Sequence, residues 1–319
     1  MLLIKKYTLL TLTIAFVLLG CDTQEKKSSD YAFAKASAEE NKNSLSSPDG
    51  LQKSRTISQQ FKDYWYAGTA EISSYRLEQA RYGEMRDGTA VLVYVTEDFL
   101  PDKQVKADTY SEDNISVLKL NSTKNFNTGI YPYSIMTSTF SPVYKEQHAI
   151  KVTQSMQEWC GHVFMQLNNK KDFEVQSYSY FASEGDQKFE LDKAILENDL
   201  WNIARFNPSE LPTGNIKVIP AFEYIRMKHI AIKAYAAQAT KTETSYTLSY
   251  PELGRSLTIN FTSDFPHSIE GWEETFKSGY GASAKELTTT ATRINTIQSP
   301  YWSKNNNADA DLREELGLE

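Results

Sequence analysis

The central and C-terminal parts of the chain alternate apolar and polar residues with a period of two, which is the pattern of half-buried β-strands. In the segment 149–160, Ile150, Val152, Gln154 and Met156 share one face, while lysine, threonine, serine and glutamine take the other. Alternation, or a high content of strand-favouring β-branched and aromatic residues, marks the segments 89–96, 149–160, 163–167, 173–181, 216–219, 222–228, 230–236, 246–250, 257–261 and 286–297. These segments predict about a dozen strands over roughly 230 residues.

Two segments have helical periodicity instead. Residues 193–205 place apolar side chains on one face, with Asp192 as a cap before the first turn and Asn207-Pro208 beyond the last. A second segment, 308–316, is short and weakly amphipathic. We therefore expect a mainly β fold, in which a large curved antiparallel sheet (half-barrel or barrel) holds one embedded helix and is followed by a short C-terminal helix. The embedded helix is expected to bury Leu200 and Trp201. Two β-domains divided near residues 190–210 are the competing architecture.

The first twenty residues carry a different signal. Lys5 and Lys6 precede an apolar run at 8–19, which is shorter than a bilayer span of about 20 residues and has the form of a secretory signal. The run ends in the sequence Leu-Leu-Gly-Cys at 18–21, which resembles the lipobox of bacterial lipoprotein precursors. The resemblance implies that the Cys21 thiol receives a diacylglycerol and that cleavage makes Cys21 the N-terminal residue. The alternatives are an ordinary signal peptide with a chance cysteine and an uncleaved membrane helix.

These signals divide the chain into a lipoprotein signal peptide at 1–20, a flexible tether at 21–50, a β-rich globular domain at 51–303 and a polar C-terminal tail or helix at 304–319. The tether is rich in Ser, Lys, Glu and Asn, a composition that does not build a core. We expect a domain outside the cytoplasm, in the cell envelope, held at a membrane through Cys21. Asp22 marks inner-membrane retention in some Gram-negative lipoproteins, but other lineages sort differently, so inner or outer membrane stays open.

The net charge and the cysteine content restrict the classes of partner and the kind of stabilisation that we expect. The net charge is −7, and removal of the signal peptide would leave 32 basic and 41 acidic residues. Such a chain lacks the basic character of nucleic-acid-binding proteins, so we expect no nucleic acid partner. Acylation of Cys21 would leave Cys160 without a partner, and an exported domain would then be stable without an internal disulfide.

Three blocks, at 64–108, 154–168 and 269–274, make the chain similar to a family of uncharacterised Gram-negative bacterial lipoproteins. Members of this family are often labelled septum formation inhibitor Maf. The Maf pyrophosphatases carry a Ser-x-Ser-Pro-Arg-Arg stretch that this chain lacks, so the label implies no site residue here. A septum-related role is kept only as an alternative that rests on the label.

The expected architecture also resembles the carrier folds that hold acyl chains in the periplasm. Such a carrier needs a hydrophobic cavity lined by large apolar side chains. The side chains that could line one, and that would otherwise be ordinary core, are Met156, Trp159, Phe164, Met165, Tyr178, Tyr180, Phe222 and Tyr224.

Candidate chemistry is sparse. The chain has no Gly-x-Ser-x-Gly elbow, phosphate loop or dinucleotide fingerprint, and its four histidines lack metal-ligand spacing, so we expect no metal and no cofactor. Cys160 and His162 form a weak candidate site as nucleophile and base, although Gly161 between them favours a turn. Carboxylates surround Trp272 in the segment 270–274, but neighbouring acids cannot by themselves flank a glycosidase cleft.

Three functions remain open at this point. The first is a non-catalytic envelope protein that binds an amphipathic or apolar ligand, which predicts a large apolar cavity. The second offers its surface to an envelope protein partner, which predicts a filled interior and an exposed aromatic patch. The third is a hydrolytic enzyme whose site is assembled from distant residues, which predicts clustered acids, or Cys160 with His162, in a wet cleft.

Overall fold

The structure is a computed structural model that describes residues 54–318. The signal peptide, Cys21 and the predicted tether lie outside the described residues. The strands are β1 (Ala70–Arg81), β2 (Glu84–Leu100), β3 (Val105–Lys106), β4 (Ile115–Thr128), β5 (Tyr131–Pro142), β6 (Lys151–Glu158), β7 (Gly161–Asn169), β8 (Phe173–Ser179), β9 (Gln187–Leu191), β10 (Ile195–Leu196), β11 (Gly214–Ile219), β12 (Tyr235–Lys241), β13 (Ser245–Tyr250), β14 (Arg255–Phe261), β15 (Ile269–Ser278) and β16 (Lys285–Ser299).

The sixteen strands of this region form one sheet, in the order β10-β11-β12-β13-β14-β15-β16-β1-β2-β4-β5-β6-β7-β8-β9, with β3 added beside β2. Neighbouring strands are antiparallel except for β10 and β11. The two edge strands, β9 and β10, are consecutive in the chain, yet no strand pairing among residues 54–318 joins them, so the sheet is not closed. The predicted class, a mainly β fold built on one large antiparallel sheet, is confirmed, and the alternative of two β-domains is not.

Alternation along the strands explains which face of the sheet is buried. In β14, Arg255, Leu257, Ile259 and Phe261 are buried while the intervening residues are half-exposed. The predicted alternation at 149–160 corresponds to β6, in which Val152, Gln154 and Met156 point to the buried side. One face of each strand thus supplies the core, as a period of two requires.

Four α-helices occur in the described part of the chain: α1 (Gln59–Trp65), α2 (Glu197–Phe206), α3 (Phe222–Lys228) and α4 (Asp311–Glu315). The embedded helix predicted at 193–205 is α2, and it begins later because Ile195 and Leu196 pair with Val218 and Ile219 as strand β10. The expected short C-terminal helix is α4. Leu316, just after it, is buried against an apolar cluster on β1 and β2, so the C-terminal segment is not only a solvated tail.

Two helices were not predicted. Residues 222–228 were expected to form a strand and are helix α3, and the strand expected at 230–236 begins only at Tyr235. The α3 sequence mixes apolar and charged residues, and both faces of the helix are largely buried, so the sequence shows no clear helical period. Helix α1 has seven residues, too few for a clear period, although Ser58 caps it by accepting a hydrogen bond from the N–H of Phe61.

Helix α2 lies inside the curve of the sheet. It packs against β4 and β5. Its side chains also bond to β1 and β14, which lie three and six places from β5 in the sheet order. Leu200 and Ala204 are buried in the main apolar core, whereas Trp201, which we expected to be buried, is only half-buried. Within residues 54–318, no helix has the length and apolarity needed to cross a membrane.

Candidate functional site

Cys160 and His162 lie at the hairpin between β6 and β7. Cys160 is exposed in the turn, as Gly161 led us to expect, and its backbone N–H donates to the Glu158 carboxylate at 2.7 Å. That carboxylate raises the pKa of the Cys160 thiol, through a hydrogen bond and its negative charge, which disfavours the thiolate that a nucleophile needs.

His162 is also exposed, and no hydrogen bond of the described residues joins it to Cys160. Its strand position is opposite Gln157 on the outer face of the sheet. The proposed pair therefore sits on an open hairpin rather than in a wet cleft, and its catalytic role stays a prediction without a supporting contact.

A buried network of charges holds α2 in the sheet. Arg255 on β14 donates through Nη1 and Nη2 to the two carboxylate oxygens of Glu197, at 2.5 and 2.6 Å, and through Nε to Glu274 at 2.6 Å. The hydroxyl of Tyr250 also donates to Glu197, at 2.6 Å. Because these carboxylates are already paired with a cation and hydrogen-bonded, they are structural anchors rather than free acids and bases.

Further contacts of the same kind flank this network. Lys124 on β4 donates to Glu223 on α3 at 2.8 Å. Asp199 on α2 accepts hydrogen bonds from the hydroxyl of Ser141 and from the backbone N–H of Ala149. Burial raises the pKa of Asp199 to about 6, and the two hydrogen bonds oppose the shift. Polar side chains therefore fix the embedded helix, and the sequence analysis, which searched for its apolar face, missed them.

A cavity of about 50 Å³ lies between α2, the start of α3 and strands β4, β5, β14 and β15. Its lining combines the charged side chains just described with Trp201, Trp272 and several hydroxyl groups. A cavity of this size holds a few water molecules, whereas ligand pockets generally measure about 300–1,000 Å³. It therefore does not supply the large apolar space that an acyl-chain carrier requires. Within the described residues, no group of His, Cys, Asp and Glu side chains could hold a metal ion.

One end of the sheet collects exposed aromatic side chains. The hairpin turns after β1, β4, β6, β8 and β15 all lie at this end. The strands that bound the first four turns are aligned by the register pairs Arg81↔Glu84, Gly88↔Phe126, Ser134↔Gln157 and Val163↔Ser179. The pairing of β15 with β16, and of β16 with β1, brings the turn after β15 to the same end. We call this the aromatic end, because its turns carry the exposed rings of Trp159, Tyr180 and Tyr280 and the half-buried ring of Tyr82. The turn after β4 adds the exposed aliphatic side chain of Ile130.

The aromatic patch, which consists of Trp159, Phe164, Tyr178 and Tyr180, extends from this end over the outer face of β7 and β8. Trp159 and Tyr180 are 68% and 71% exposed. The rings of Phe164 and Tyr178 stack with centroids 6.4 Å apart. Tyr180 covers Gly161, where a Cβ atom would lie 2.7 Å from the ring. Trp159 instead stacks on Tyr131, with centroids 6.1 Å apart. The patch thus places exposed apolar side chains on two neighbouring strands and at the turns beside them, and exposed apolar surface marks interaction sites.

The eight large side chains singled out in the sequence divide evenly between core and surface. Met156, Met165, Phe222 and Tyr224 are buried as expected. The four of the aromatic patch are exposed, so the expectation that they are core or cavity lining is wrong. The β7 alternation contains the signal for one of them, because Val163 and Met165 face inward and place Phe164 outward.

Comparisons with known proteins find only low structural similarity to solved structures. No protein-family model and no curated protein matches the chain. A β-barrel-like protein of the domain of unknown function DUF1849 from Brucella abortus matches with a TM-score of 0.42 and 8% identity, over 72% of this chain and 98% of that one. A porin-like protein from Bacteroides uniformis matches with a TM-score of 0.20 and 9% identity, over 70% and 95% of the two chains. At these TM-scores neither likeness bears on function.

Proposed function

We propose that this protein is a non-catalytic, lipid-anchored protein of the bacterial cell envelope that binds an amphipathic partner through its aromatic end. The Leu-Leu-Gly-Cys sequence at 18–21 supports the anchor, since it follows a basic segment and a short apolar run. With a diacylglycerol on Cys21, attachment to the membrane would be stable rather than transient.

The exposed aromatic patch is the observation that carries the binding function. Trp159 and Tyr180 project from turns, where a folded protein has no need of large apolar rings, and Phe164 and Tyr178 stack on each other on the outer face of the strands beside them. Trp and Tyr combine a large apolar body with a polar tip, which suits them to interfaces with one wet side. A partner with both apolar and polar groups fits this surface best.

The interior gives less support to catalysis or to internal ligand binding. Glu197 and Glu274 are bound by Arg255, and Glu223 by Lys124. The cavity beside them has room for a few water molecules. A hydrolytic site assembled there would need carboxylates that are free to take up or release a proton.

The position of the aromatic end also suits an interaction module. Ser54 pairs with Lys145 just beyond the end of β5 that is opposite to the aromatic end. The chain that leads from Cys21 therefore joins the domain at the far end of strands of about 12 residues, or roughly 40 Å. The aromatic end is thus kept apart from the attachment point and is accessible to a second surface.

Site-specific photocrosslinking in living cells tests the proposal. A photoreactive amino acid at position 180 of the full chain is expected to give a reproducible adduct, and the same amino acid at position 110 is not. Tyr110 is the matched control because it is equally exposed, at 71%, and lies in the β3–β4 loop at the opposite end. Equal labelling from both positions, or none from position 180, would show that the aromatic end is not the binding surface.

The anchor is tested separately by metabolic labelling with a fatty acid. Wild-type protein is expected to incorporate the label, and a Cys21→Ala variant is expected to lose it and to leave the membrane fraction after washing. The Cys160→Ala variant is the control, because it removes the other cysteine of the chain. Equal labelling of wild type and Cys21→Ala would refute lipidation at Cys21.

A further inference from the structure

A small pocket at the aromatic end carries positive charge that no carboxylate of the described residues neutralises by direct contact. We call it the rim pocket. Its volume is about 20 Å³. It lies between the β1–β2 hairpin, the end of α3 and the end of β15, and its lining residues are Ala80, Arg81, Tyr82, Met227, Lys228, Phe276, Ser278, Gly279 and Tyr280.

Arg81 is the first cation of the rim pocket. Its Nη1 donates to the carbonyl of Met227 at 3.0 Å, and its Nη2 donates to the hydroxyls of Tyr82 and Tyr133 at 3.1 and 3.0 Å. All three acceptors are neutral at physiological pH. The Nε atom is buried and has no acceptor among the described residues. The guanidinium is therefore held in place by neutral groups, and its Nε–H is left without an acceptor.

Lys228 is the second cation. Its Nζ donates to the backbone carbonyl of Lys277 at 2.7 Å. Burial lowers the pKa of Lys228, and the nearby positive charges of Arg81 and Lys277 lower it further, while Glu274 opposes them. Glu274 is itself bound to the Nε of Arg255 at 2.6 Å. The charge of Lys228 thus lacks a carboxylate in contact.

The cations that are fully buried in the described residues each contact a carboxylate instead. Arg205, Arg255 and Lys124 are each paired with a carboxylate at 2.8 Å or less, and Arg226, close to the rim pocket, contacts Glu184 at 3.3 Å. Two partly buried cations without such a partner repel each other. An anion that binds between them would relieve the repulsion and make charge-assisted hydrogen bonds.

The side chains around the rim pocket indicate which kind of anion would bind there. Tyr280 is exposed, and its ring centroid lies 6.5 Å from that of Tyr82. The apolar side chains of Ile130 and Trp159 project from neighbouring turns of the same end. Trp and Tyr side chains of this kind are typical of the headgroup layer of membranes. The volume of the rim pocket admits one or two oxygen atoms rather than a whole ligand.

We propose that the rim pocket binds the phosphate of a phospholipid headgroup, while Ile130, Trp159 and Tyr280 enter the interfacial layer of the bilayer. This inference rests on the proposed function and names its partner. The aromatic end would then dock on a membrane surface, with Arg81 and Lys228 as the phosphate-binding residues. Because the whole chain has a net charge of −7, unspecific attraction to anionic lipid is weak. Binding to such lipid would therefore depend on the local positive charges of Arg81 and Lys228.

Flotation with lipid vesicles tests the inference. The protein is the mature chain from residue 21 with a Cys21→Ser substitution, so that no acyl chain contributes. It is expected to float with vesicles of phosphatidylethanolamine and phosphatidylglycerol, and not with vesicles of digalactosyl diacylglycerol, which lack phosphate. Lys228→Gln and Arg81→Gln are each expected to weaken partitioning about fivefold, the effect of about 1 kcal/mol per basic residue at a membrane surface.

Lys233→Gln is the matched control. Lys233 lies shortly before β12 at the same end of the sheet, but it is paired with Glu252 and does not line the rim pocket. Thermal unfolding identifies any variant that fails to fold. If Arg81→Gln fails to fold, Lys228→Gln still decides the test, because it removes a single hydrogen bond to a backbone carbonyl.

The other outcomes separate the two proposals. Equal flotation of all variants would overturn the role of the rim pocket and leave the amphipathic surface in place. Binding of inorganic phosphate that depends on Lys228, without vesicle binding, would identify a soluble anion as the ligand and overturn the lipid. Absence of vesicle binding, together with a protein adduct from position 180 in cells, would overturn the lipid inference while the proposed function stands.

Discussion

The guanidinium of Arg205 and the carboxylate of Glu71 meet at two points inside the sheet, with Nη1 2.6 Å from Oε1 and Nη2 2.7 Å from Oε2. Their side chains are 0% and 1% exposed. Burial by itself raises the pKa of Glu71, but Arg205 and the hydroxyl of Tyr64 hold it below its ordinary value. Because Arg205 belongs to α2 and Glu71 to β1, the pair fixes the embedded helix to a strand that is distant in sequence.

Arg205→Met is expected to destabilise the protein strongly, because it leaves the Glu71 carboxylate buried without its cation. Removing one partner of a buried pair generally costs about 3–5 kcal/mol. The double variant Arg205→Met/Glu71→Leu is expected to recover much of this loss, since no charge then stays buried. Urea unfolding of the mature chain at neutral pH measures both effects.

The exposed pair of Arg293 and Glu270 provides the control. Its atoms are 2.7 Å apart, as close as in the buried pair, but the side chains are 29% and 42% exposed. Arg293→Met is expected to change the free energy of unfolding by less than about 1 kcal/mol. An equally small change in Arg205→Met would mean that the buried pair does not hold α2 in place.

Asp199→Asn is expected to stabilise the protein at pH 7.5 and to have progressively less effect as the pH falls. Burial raises the folded-state pKa of Asp199 to about 6, while an unfolded aspartate has a pKa near 3.9. Above pH 6 the carboxylate is charged in both states, and its burial costs about 3 kcal/mol at most. This cost disappears as the pH falls from about 6 to about 4, where the folded state binds a proton first.

The measurement is the difference in unfolding free energy between Asp199→Asn and wild type at several pH values between 4.5 and 7.5. Taking the difference removes the contribution of groups such as Glu71, whose stabilisation is present above the unfolded pKa and is lost on acidification. Asp102→Asn, in an exposed turn, is the control and is expected to show no such trend. A pH-independent difference for Asp199→Asn would contradict a raised pKa at this position.

The sheet could be predicted from the sequence because alternation is a local signal. The segments 246–250, 257–261 and 286–297 lie within β13, β14 and β16. The strand assignment failed at 222–228, where helix α3 is largely buried and so shows no polar face. The long-range partners of α2 were beyond prediction, because Arg255 lies 58 residues from Glu197 and no sequence pattern relates them.

The candidate site was predictable only in part. Trp159 and Tyr180 were identified as notable side chains, but large aromatic residues are more often buried, and this prior assigned them to the core. The turn at Gly161 argued for the opposite, since residues in tight turns lie at the surface. The rim pocket could not be predicted, because it joins Arg81 on β1 to Lys228 on α3 through the tertiary fold.

Gly161→Ala is expected to displace the ring of Tyr180 and to weaken binding at the aromatic end. A Cβ atom at this position would lie 2.7 Å from Cγ of Tyr180, so the ring must move. Photocrosslinking from position 159 in the full chain measures the effect and is expected to fall. Gly129→Ala, in the β4–β5 turn of the same end, is the control because a Cβ there has no atom within 4 Å. An equal loss in both variants would point to backbone strain rather than to Tyr180.

Glu158→Gln is expected to increase the rate at which Cys160 reacts with a maleimide at pH 7.5. The Glu158 carboxylate raises the pKa of the thiol, and its neutralisation would enlarge the thiolate fraction, which is the reactive form. The rate is followed over a range of pH in the mature chain with Cys21→Ser, so that Cys160 is the one cysteine that can react. The midpoint of the rate profile is expected to move to lower pH.

His162→Ala is expected to leave this rate profile unchanged, because no hydrogen bond of the described residues connects His162 to Cys160. If His162 acted as a base for the thiol, its removal would raise the midpoint and slow the reaction at neutral pH. Such a result would restore the Cys160–His162 pair as a catalytic candidate and weaken the proposal that the aromatic end is a binding surface alone. An unchanged profile would leave the hairpin without a nucleophile–base pair.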